Sequence, residues 1–230
     1  MNYLLFSLFY LFQVNVIAAL PMVEQTAERI TVRFEGPRRS LGSGVFVEKV
    51  GQTYYILTNA HVVKFPGVYS LYTPDRKCYL IDTKEMKRLT DIDLAIVPLT
   101  TPLSYQVAKL GKTDPLTTGH TVYTSGWTFT SPPVRELVFV STVGEVTATE
   151  AKLPQGYALS YTNVVRVGMS GGSVLDRQGF LVGINGMARL VTNSDDIVGS
   201  AIPIETFLRR RSGLLDSKTK KSQPKTPTCQ

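Results

Sequence analysis

Short runs of strand-forming residues recur along almost the whole chain, and they limit its fold more than any other feature. Clusters of Gly, Pro, Asp and Thr separate these runs, as expected for turns between strands. We predict strands at residues 45–47, 54–57, 79–81, 94–97, 121–124, 137–140, 143–146, 158–161 and 180–184. No long helical period precedes Ile204, and Ile204, Phe207 and Leu208 predict a short helix over residues 204–211. The pattern predicts an all-β protein, a sandwich or barrel, that ends in a helix.

Ser170 lies in a glycine-rich pentapeptide, residues 168–172, with the sequence GMSGG. A serine hydroxyl becomes a nucleophile when a histidine takes its proton and a carboxylate orients that histidine. Flanking glycines let backbone N–H groups approach a developing oxyanion. The pentapeptide also matches the G-x-S-x-G motif of α/β-hydrolases, but those enzymes need a histidine after the serine, and none follows Ser170.

The two histidines, His61 and His120, both precede the serine, and this order limits which class of serine hydrolase the chain can belong to. The subtilisin order of Asp, His, Ser excludes His61, because no aspartate precedes it, whereas Asp93 and His120 satisfy it formally. His61 follows a predicted strand, where a base can be held rigidly. His120 lies in a polar, glycine-flanked turn, which is typical of exposed loops. The simplest interpretation is the His, Asp, Ser order of chymotrypsin-type enzymes with two barrels.

Two aspartates, Asp91 and Asp93, are candidates for the carboxylate, and they would share one face of an extended segment. Asp93 directly precedes the apolar run 94–97, so its side chain is predicted at the edge of the core. A carboxylate buried there needs a partner, which an imidazole N–H supplies. We therefore favour Asp93 and assign Asp91 to an exposed turn.

Four segments of the chain resemble one known family. The segments are residues 42–47, 58–63, 91–96 and 168–174, and in this order they resemble the HtrA/DegP-like branch of trypsin-fold serine peptidases over about residues 28 to 205. The resemblance implies two six-stranded β-barrels of the chymotrypsin type with a short C-terminal helix. It also implies a serine endopeptidase that forms an acyl-enzyme, needs no metal or other cofactor, and acts in extracytoplasmic protein processing or quality control.

The resemblance assigns roles to individual residues. It implies a catalytic triad of His61, Asp93 and Ser170, with an oxyanion hole formed by the backbone N–H groups of Gly168 and Ser170. Met169 departs from the family, since relatives often have a polar residue directly before the serine, and this leaves the resting geometry of the hole open. A PDZ domain is not expected, because only about 20 residues follow the last apolar segment.

The same resemblance places a substrate pocket. Val164, six residues before the serine, corresponds to the base of the primary pocket, so an acidic anchor for Lys or Arg is missing there. Asn185, Gly186 and Met187 are implied to line the pocket and to pair with the substrate backbone as an added strand. We expect cleavage of polypeptides after small or medium apolar residues.

The domain organisation follows from these assignments. Residues 20–211 are predicted to form the peptidase domain, with the first barrel at about 28–100 and the second at about 115–205. A Pro-, Thr- and Lys-rich stretch around residues 98–115 is the predicted connection. Residues 1–19 resemble a secretory signal peptide, which predicts export to the periplasm or the medium. Because this segment lacks a basic start, an uncleaved N-terminal anchor is the alternative.

The net charge of +7 is concentrated at the C-terminus. From Arg209 onward there are seven basic residues against the single acid Asp216, so the rest of the chain carries only +1. A nearly neutral barrel argues against nucleic-acid binding. Residues 212–230 are predicted to be a disordered tail with at most weak contact to an anionic surface. Pairing of Cys78 with Cys229 is not expected, because Cys229 lies in this tail.

Three alternatives stay open at this stage. One is a chymotrypsin-fold binding module that has lost turnover, and a second is a viral-type polyprotein protease of the same fold. A Cys-His hydrolase using Cys78 is disfavoured, because that residue lacks a glycine-rich setting. Relatives in the HtrA branch commonly form trimers, but nothing in this sequence points to an oligomer independently.

Overall fold

The computed structural model describes residues 22–190, 197–215 and 224–229. Helix α1 covers residues 22–30. The first half of the described chain then forms β1 (Thr31–Gly36), β2 (Ser40–Val50), β3 (Thr53–Thr58), β4 (Val68–Tyr72), β5 (Cys78–Asp82), β6 (Lys87–Arg88) and β7 (Ala95–Thr100). The second half forms β8 (Thr121–Phe129), β9 (Leu137–Ala148), β10 (Leu159–Tyr161), β11 (Ser173–Leu175), β12 (Leu181–Leu190), β13 (Ile197–Pro203) and α2 (Ile204–Leu215).

The first half is a seven-stranded antiparallel sheet in the order β5-β4-β1-β2-β3-β7-β6. Alternate residues of its strands face a common interior, which is why Phe34, Phe46 and Ile56 are fully buried together. Aromatic rings close one side, where Tyr105 stacks on Phe46 with 5.1 Å between ring centroids. The sheet therefore curves around its own apolar core.

The second half is a closed six-stranded barrel in the order β10-β13-β12-β11-β8-β9. Its interior holds Val122, Leu159 and Val182 among other buried side chains. A separate apolar cluster joins side chains of both halves, such as Leu57 and Ile184, with α1 and α2. Burial of this shared cluster fixes the two halves against each other, and the active-site candidates lie beside it.

The predicted fold class is confirmed, with three differences of detail. The first half pairs as an open seven-stranded sheet, while the second half closes into the six-stranded barrel. The predicted strands 137–140 and 143–146 are one continuous strand, β9, because its polar middle residues also pair with β8. The sequence prediction also missed strands β1, β4, β6, β11 and β13, of which β6 and β11 have only two and three residues.

Helix α1 was not predicted, because its nine residues are too few to give a long period. A stripe at Val23, Ala27 and Ile30 was nevertheless present in the sequence, and all three side chains are buried in the shared cluster. Helix α2 begins at Ile204 as predicted and extends to Leu215, beyond the predicted end at 211. Its Ile204 and Phe207 are buried, whereas Leu208 is 39% exposed.

The end of the chain differs from the predicted disordered tail. Residues 224–229 lie along the first sheet, where Cys229 forms a disulfide with Cys78 on β5. The Thr228 N–H donates to the carbonyl of Cys78 at 2.9 Å, and the Lys225 ammonium contacts Glu85 at 2.8 Å. The expectation that the cysteines stay unpaired is therefore corrected, because backbone contacts dock this segment beside β5. Residues 216–223, like the predicted signal peptide, lie outside the described residues.

In the portion of the chain that the structure covers, we find no helix with the length and apolarity needed to span a membrane.

Candidate active site

The three residues predicted as a triad come from three different parts of the fold. His61 follows the end of β3 by three residues, and Asp93 lies just before β7, which pairs with β3. Ser170 occupies the loop that leads into β11 of the second barrel. Contacts between the halves bring these parts together, because Ser43 of β2 bonds to the Ser170 loop and Asn59 lies against Gly186 of β12. We call this junction the cleft.

His61 and Asp93 form a direct pair. The Nδ1 atom of His61 lies 2.6 Å from Oδ2 of Asp93, and the His61 backbone N–H donates to Oδ1 at 2.8 Å. Asp93 is only 5% exposed, whereas the His61 side chain is 41% exposed. The pair thus anchors the imidazole at its buried edge and leaves the other edge toward the cleft.

Burial on its own raises the pKa of the Asp93 carboxyl, but hydrogen bonds from His61 and Tyr157, together with the His61 charge, outweigh burial and lower that pKa overall. Asp93 is therefore ionised at neutral pH. An ionised carboxylate only accepts hydrogen bonds, so Nδ1 of His61 carries the proton in this contact. When the imidazole is neutral, its single proton is therefore on Nδ1, and the lone pair of Nε2 can act as a base.

Tyr157 is a functional candidate that the sequence analysis missed. Its hydroxyl donates to Oδ2 of Asp93 at 2.6 Å, across 64 residues of sequence. Burial, followed by the adjacent Asp93 charge, raises the pKa of Tyr157 well above its ordinary value, so the hydroxyl keeps its proton. Gly186 makes room for this contact, because a Cβ at that position would lie 2.3 Å from the Tyr157 hydroxyl.

The loop that carries Ser170 depends on close backbone approaches. Gly171 has φ +85°, and a Cβ there would lie 2.0 Å from the carbonyl oxygen of Ser43. Gly168 has φ +98° and packs against Leu41 and the carbonyl of Trp127. Positive φ and absent side chains at these two positions explain the glycines that flank the serine.

Ser43 of β2 fixes this loop from the first half of the fold. Its backbone N–H donates to the carbonyl of Ser170 at 2.8 Å, and its hydroxyl donates to the carbonyl of Gly168 at 2.9 Å. The same hydroxyl accepts from the N–H of Trp127 on β8 at 2.9 Å. The serine loop is therefore held between β2 and the second barrel.

The backbone N–H groups of Gly168 and Ser170 make no hydrogen bond to any other described residue. The carbonyl of Val167, which could otherwise turn toward these donors, instead accepts from the Thr128 hydroxyl at 2.9 Å. The carbonyl of Gly168 is held by Ser43. The loop thus leaves two backbone donors available on either side of Met169, whose side chain is fully buried.

The hydroxyl of Ser170 donates to the carbonyl of Gly186 over a long distance of 3.4 Å, and no hydrogen bond joins it to His61 in the described structure. Gly186 in turn lies against Asn59, whose side chain donates to the carbonyl of Asp93 at 3.0 Å. The serine and the His61–Asp93 pair therefore belong to one cluster, although the serine hydroxyl points toward β12.

The predicted pocket residues occupy different environments. Asn185 is 2% exposed, and its side chain donates to the Met169 carbonyl and accepts from Tyr161, so it braces the serine loop rather than facing the cleft. Gly186 lies in the cleft, and Met187 is half-buried against the shared apolar cluster. Val164 is 59% exposed. The sequence prediction did not separate the bracing role of Asn185 from a contact with substrate.

The other candidate aspartate and histidine do not contact the His61–Asp93 pair. Asp91 is exposed and forms an ion pair with Arg210 at 2.6 Å. His120 lies in the turn before β8, where its Nδ1 accepts from the N–H of Thr117 at 3.0 Å. Over the described ranges, no group of His, Cys, Asp or Glu side chains has an arrangement that could hold a metal ion.

Comparison with protein families gives one decisive match. Residues 42–184 match the family described as the trypsin-like peptidase domain, which is more than half of the chain. The chain belongs to the trypsin-like peptidase family. The matched segment includes the His61–Asp93 pair and the Ser170 loop.

Individual relatives place this peptidase in the HtrA branch. It is 32% identical over 195 residues to a "Probable periplasmic serine endoprotease DegP-like" from Hahella chejuensis, covering 80% of this chain and 38% of the relative. It is 30% identical over 172 residues to the "Serine protease Do-like HtrA" of Bacillus subtilis, covering 70% of this chain and 36% of the relative. The chain thus spans less than two fifths of the length of these relatives.

Solved structures support the same fold. The HtrA-type protease AlgW with a tripeptide superposes with a TM-score of 0.68 at 23% identity, covering 84% of this chain and 62% of that one. At this level of identity the likeness establishes the fold, which is the chymotrypsin-like arrangement of an open, curved sheet and a closed barrel described above.

Proposed function

We propose that the chain is a serine endopeptidase in which His61, Asp93 and Ser170 act as a triad. The observation that carries this proposal is the 2.6 Å contact between Nδ1 of His61 and the buried Asp93 carboxylate, in the same cluster as a glycine-flanked serine. Membership of the trypsin-like peptidase family supports it. The comparisons with HtrA-type proteases agree.

The catalytic cycle follows from the protonation state of the pair. The Ser170 hydroxyl rotates away from Gly186, donates to Nε2 of His61 and attacks a peptide carbonyl carbon, while His61 takes its proton. The ionised Asp93 stabilises the imidazolium that forms. His61 then protonates the leaving amine, and an acyl-enzyme on Ser170 is hydrolysed by water through the same steps in reverse order.

The oxyanion of each tetrahedral intermediate is assigned to the backbone N–H groups of Gly168 and Ser170. Their freedom from other hydrogen bonds in the described structure supports this role. Donors held in place before the reaction stabilise the developing charge without reorganisation, and one such donor contributes about 3 kcal/mol in comparable enzymes.

Substrate binding is assigned to the cleft edge of β12 and to the exposed Val164. Gly186 and Met187 would pair with the residues that precede the scissile bond as an added strand. The apolar Val164 in place of an acid favours cleavage after small or medium apolar residues. The substrates are polypeptides.

An oxidising compartment fits the structure of this enzyme. The Cys78–Cys229 disulfide is of a kind that persists outside the cytosol. Two of the curated relatives at or above 30% identity are named as periplasmic. We therefore assign the protein to the periplasm or the extracellular space, with extracytoplasmic protein processing or quality control as its role.

A fluorophosphonate probe tests the proposal directly, since it labels only an activated serine. We expect the wild-type protein to be labelled and Ser170→Ala to stay unlabelled. His61→Ala should lower kcat about 10⁶-fold, and the double variant Ser170→Ala/His61→Ala should be no worse than either single one, because the residues act as a unit.

The alternative is a catalytically silent binding module, which the contact of the Ser170 hydroxyl with Gly186 rather than His61 favours. A wild-type protein that resists the probe while Ser170→Ala keeps the same melting temperature would support that alternative and contradict the proposed enzyme.

A further inference from the structure

A group of cations lies beside the catalytic cleft on the first half of the fold. It consists of Arg38 and Arg39, which precede β2, Lys64 after His61, and Arg88 on β6. We call these four residues the basic rim. All four side chains are exposed.

Three of the four residues in the basic rim are joined by contacts to Phe65 or to each other. The Arg38 guanidinium lies 4.7 Å from the centre of the Phe65 ring, and the Lys64 ammonium lies 5.0 Å from the centre of the same ring. Arg88 donates to the carbonyl of Lys64 at 3.1 Å. Two cations thus contact the ring of the half-buried Phe65, and Arg88 is hydrogen-bonded to the backbone of one of them.

These charges are not neutralised within the described structure. None of the four cations forms an ion pair there, and Glu35, a nearby carboxylate on β1, is engaged by Arg33 at 2.9 Å. Outside the C-terminal segment the chain is nearly neutral, so the cluster is a local concentration of positive charge. Like charges held together repel one another, and an anionic ligand would relieve that repulsion.

The position of the basic rim relates it to the substrate. Lys64 is three residues from His61, which puts it at most about 10 Å away along the chain. Arg39 is two residues from Leu41, which packs directly against Gly168 of the serine loop. Lys64 and Arg39 therefore connect the basic rim to the His61 segment and to the residues that pack on the serine loop.

The fold indicates which side of the scissile bond would contact the basic rim. Residues before the bond are assigned to β12 of the second barrel, so a chain that crosses Ser170 continues over the first half, where the basic rim lies. We propose that the basic rim binds acidic side chains that follow the scissile bond, so that polypeptides with Asp or Glu there are preferred substrates. This inference rests on the proposed peptidase function and names the class of its substrates.

Two internally quenched peptides test the inference. They share an apolar core that is cleaved and differ only in the three residues after the bond, Asp-Glu-Asp in one and Asn-Gln-Asn in the other. We expect about fivefold higher kcat/KM for the acidic peptide at low ionic strength, and we expect high salt to remove the difference. Arg38→Ala/Lys64→Ala should abolish the preference and leave hydrolysis of the neutral peptide unchanged.

The matched control is Lys112→Ala/Arg177→Ala, which removes the same two kinds of cation from exposed positions in the connection before β8 and in the turn before β12, and it should keep the preference. Charge reversal in Arg38→Glu/Lys64→Glu should favour the neutral peptide over the acidic one. Equal rates for both peptides with the wild-type protein would overturn the inference while leaving the peptidase intact.

Binding separates this inference from the proposed function. Fluorescence anisotropy with uncleaved, labelled peptides and the Ser170→Ala protein measures affinity without turnover. A preference of about fivefold for the acidic peptide, lost in Arg38→Ala/Lys64→Ala, supports the basic rim even if the wild type resists the fluorophosphonate probe. Equal affinities overturn the basic rim whatever the outcome of labelling.

Discussion

Asp93 receives three hydrogen bonds although it is nearly buried, and these bonds decide its protonation. The donors are the backbone and ring of His61 and the hydroxyl of Tyr157. Together they outweigh the effect of burial, so the carboxyl has a pKa below its ordinary value. The orientation of His61 therefore depends on Tyr157 as well as on Asp93.

Removal of the Tyr157 hydroxyl should change how stability depends on pH. Because the pKa of Asp93 is lower in the folded protein, its stabilising effect is complete above the ordinary value of 3.8 and is lost as the pH falls through the folded value. Tyr157→Phe raises the folded pKa of Asp93 and should cost about 1–3 kcal/mol of unfolding free energy at pH 7. Urea unfolding at a series of pH values should show this difference shrinking toward pH 2.

The matched control for this measurement is Tyr161→Phe. Tyr161 is also buried, but its hydroxyl donates to the neutral side chain of Asn185 at 2.8 Å. Its removal should cost stability by an amount that does not change with pH. A constant difference for Tyr157→Phe as well would mean that its hydroxyl does not influence Asp93. In activity assays at pH 7, Tyr157→Phe should lower kcat more than it changes KM, because Tyr157 acts through Asp93 and not on the substrate.

Some of these residues could be read from the sequence and others could not. His61, Asp93 and Ser170 each have a local signature, namely a strand exit, the start of an apolar run and flanking glycines. Tyr157 has none, because its role arises from a contact across 64 residues of sequence. Asn185 was predicted near the substrate, but its buried amide instead braces the loop of the nucleophile.

Among strands and loops, the loop of Ser170 contains close backbone approaches that leave no space for added side chains. The backbone of this loop approaches that of β2 at Gly171, where the carbonyl of Ser43 occupies the space that a side chain would need. The same contact orders the backbone around the nucleophile. Stability and activity are therefore expected to fall together when this loop is altered.

Gly171→Ala should abolish activity and destabilise the fold by more than 3 kcal/mol, roughly the upper range for a single backbone clash added to an unfavourable φ. Gly119→Ala is the matched control, since Gly119 has φ +86° against +85° at Gly171, but nothing lies within 4 Å of its Cβ position. That variant should lose only about 1 kcal/mol and keep full activity. Thermal unfolding and probe labelling of both variants give the comparison, and equal losses would show that backbone strain, not the close approach, explains the glycine.

The strand pattern predicted the fold class because β3, β7 and β12 combine apolar sequence with deep burial. Strands such as β4 and β6 were missed because they have only five and two residues, and both residues of β6 are charged and exposed. Helix α1 was missed because a nine-residue helix contributes only three buried positions. Pairing partners and closure of the barrel depend on contacts between distant segments, which a local pattern does not contain.

For the folded chain as a whole, the disulfide joins the segment after α2 to the first sheet. Helix α2 packs on β12 and β13 of the second barrel, whereas Cys78 belongs to β5. The two cysteines are 151 residues apart in the sequence, so the loop that the disulfide closes includes parts of both halves of the molecule. Closure of such a long loop lowers the conformational entropy of the unfolded chain.

Cys229→Ser should lower the free energy of unfolding by up to about 5 kcal/mol according to the chain-entropy model. A reductant should weaken the wild-type protein to the same level and should have no effect on the variant, because the chain has only two cysteines. Urea unfolding with and without reductant measures both effects. Identical stability of wild type and variant under oxidising conditions would contradict a stabilising role for the bond.

Ser43 links the environment of Ser170 to the completion of folding. Its two contacts with the serine loop come from β2, so the second half cannot complete the nucleophile's surroundings on its own. A chain in which only one half has folded lacks one side of this arrangement. Under the proposed mechanism, hydrolysis should therefore begin only after both halves have assembled.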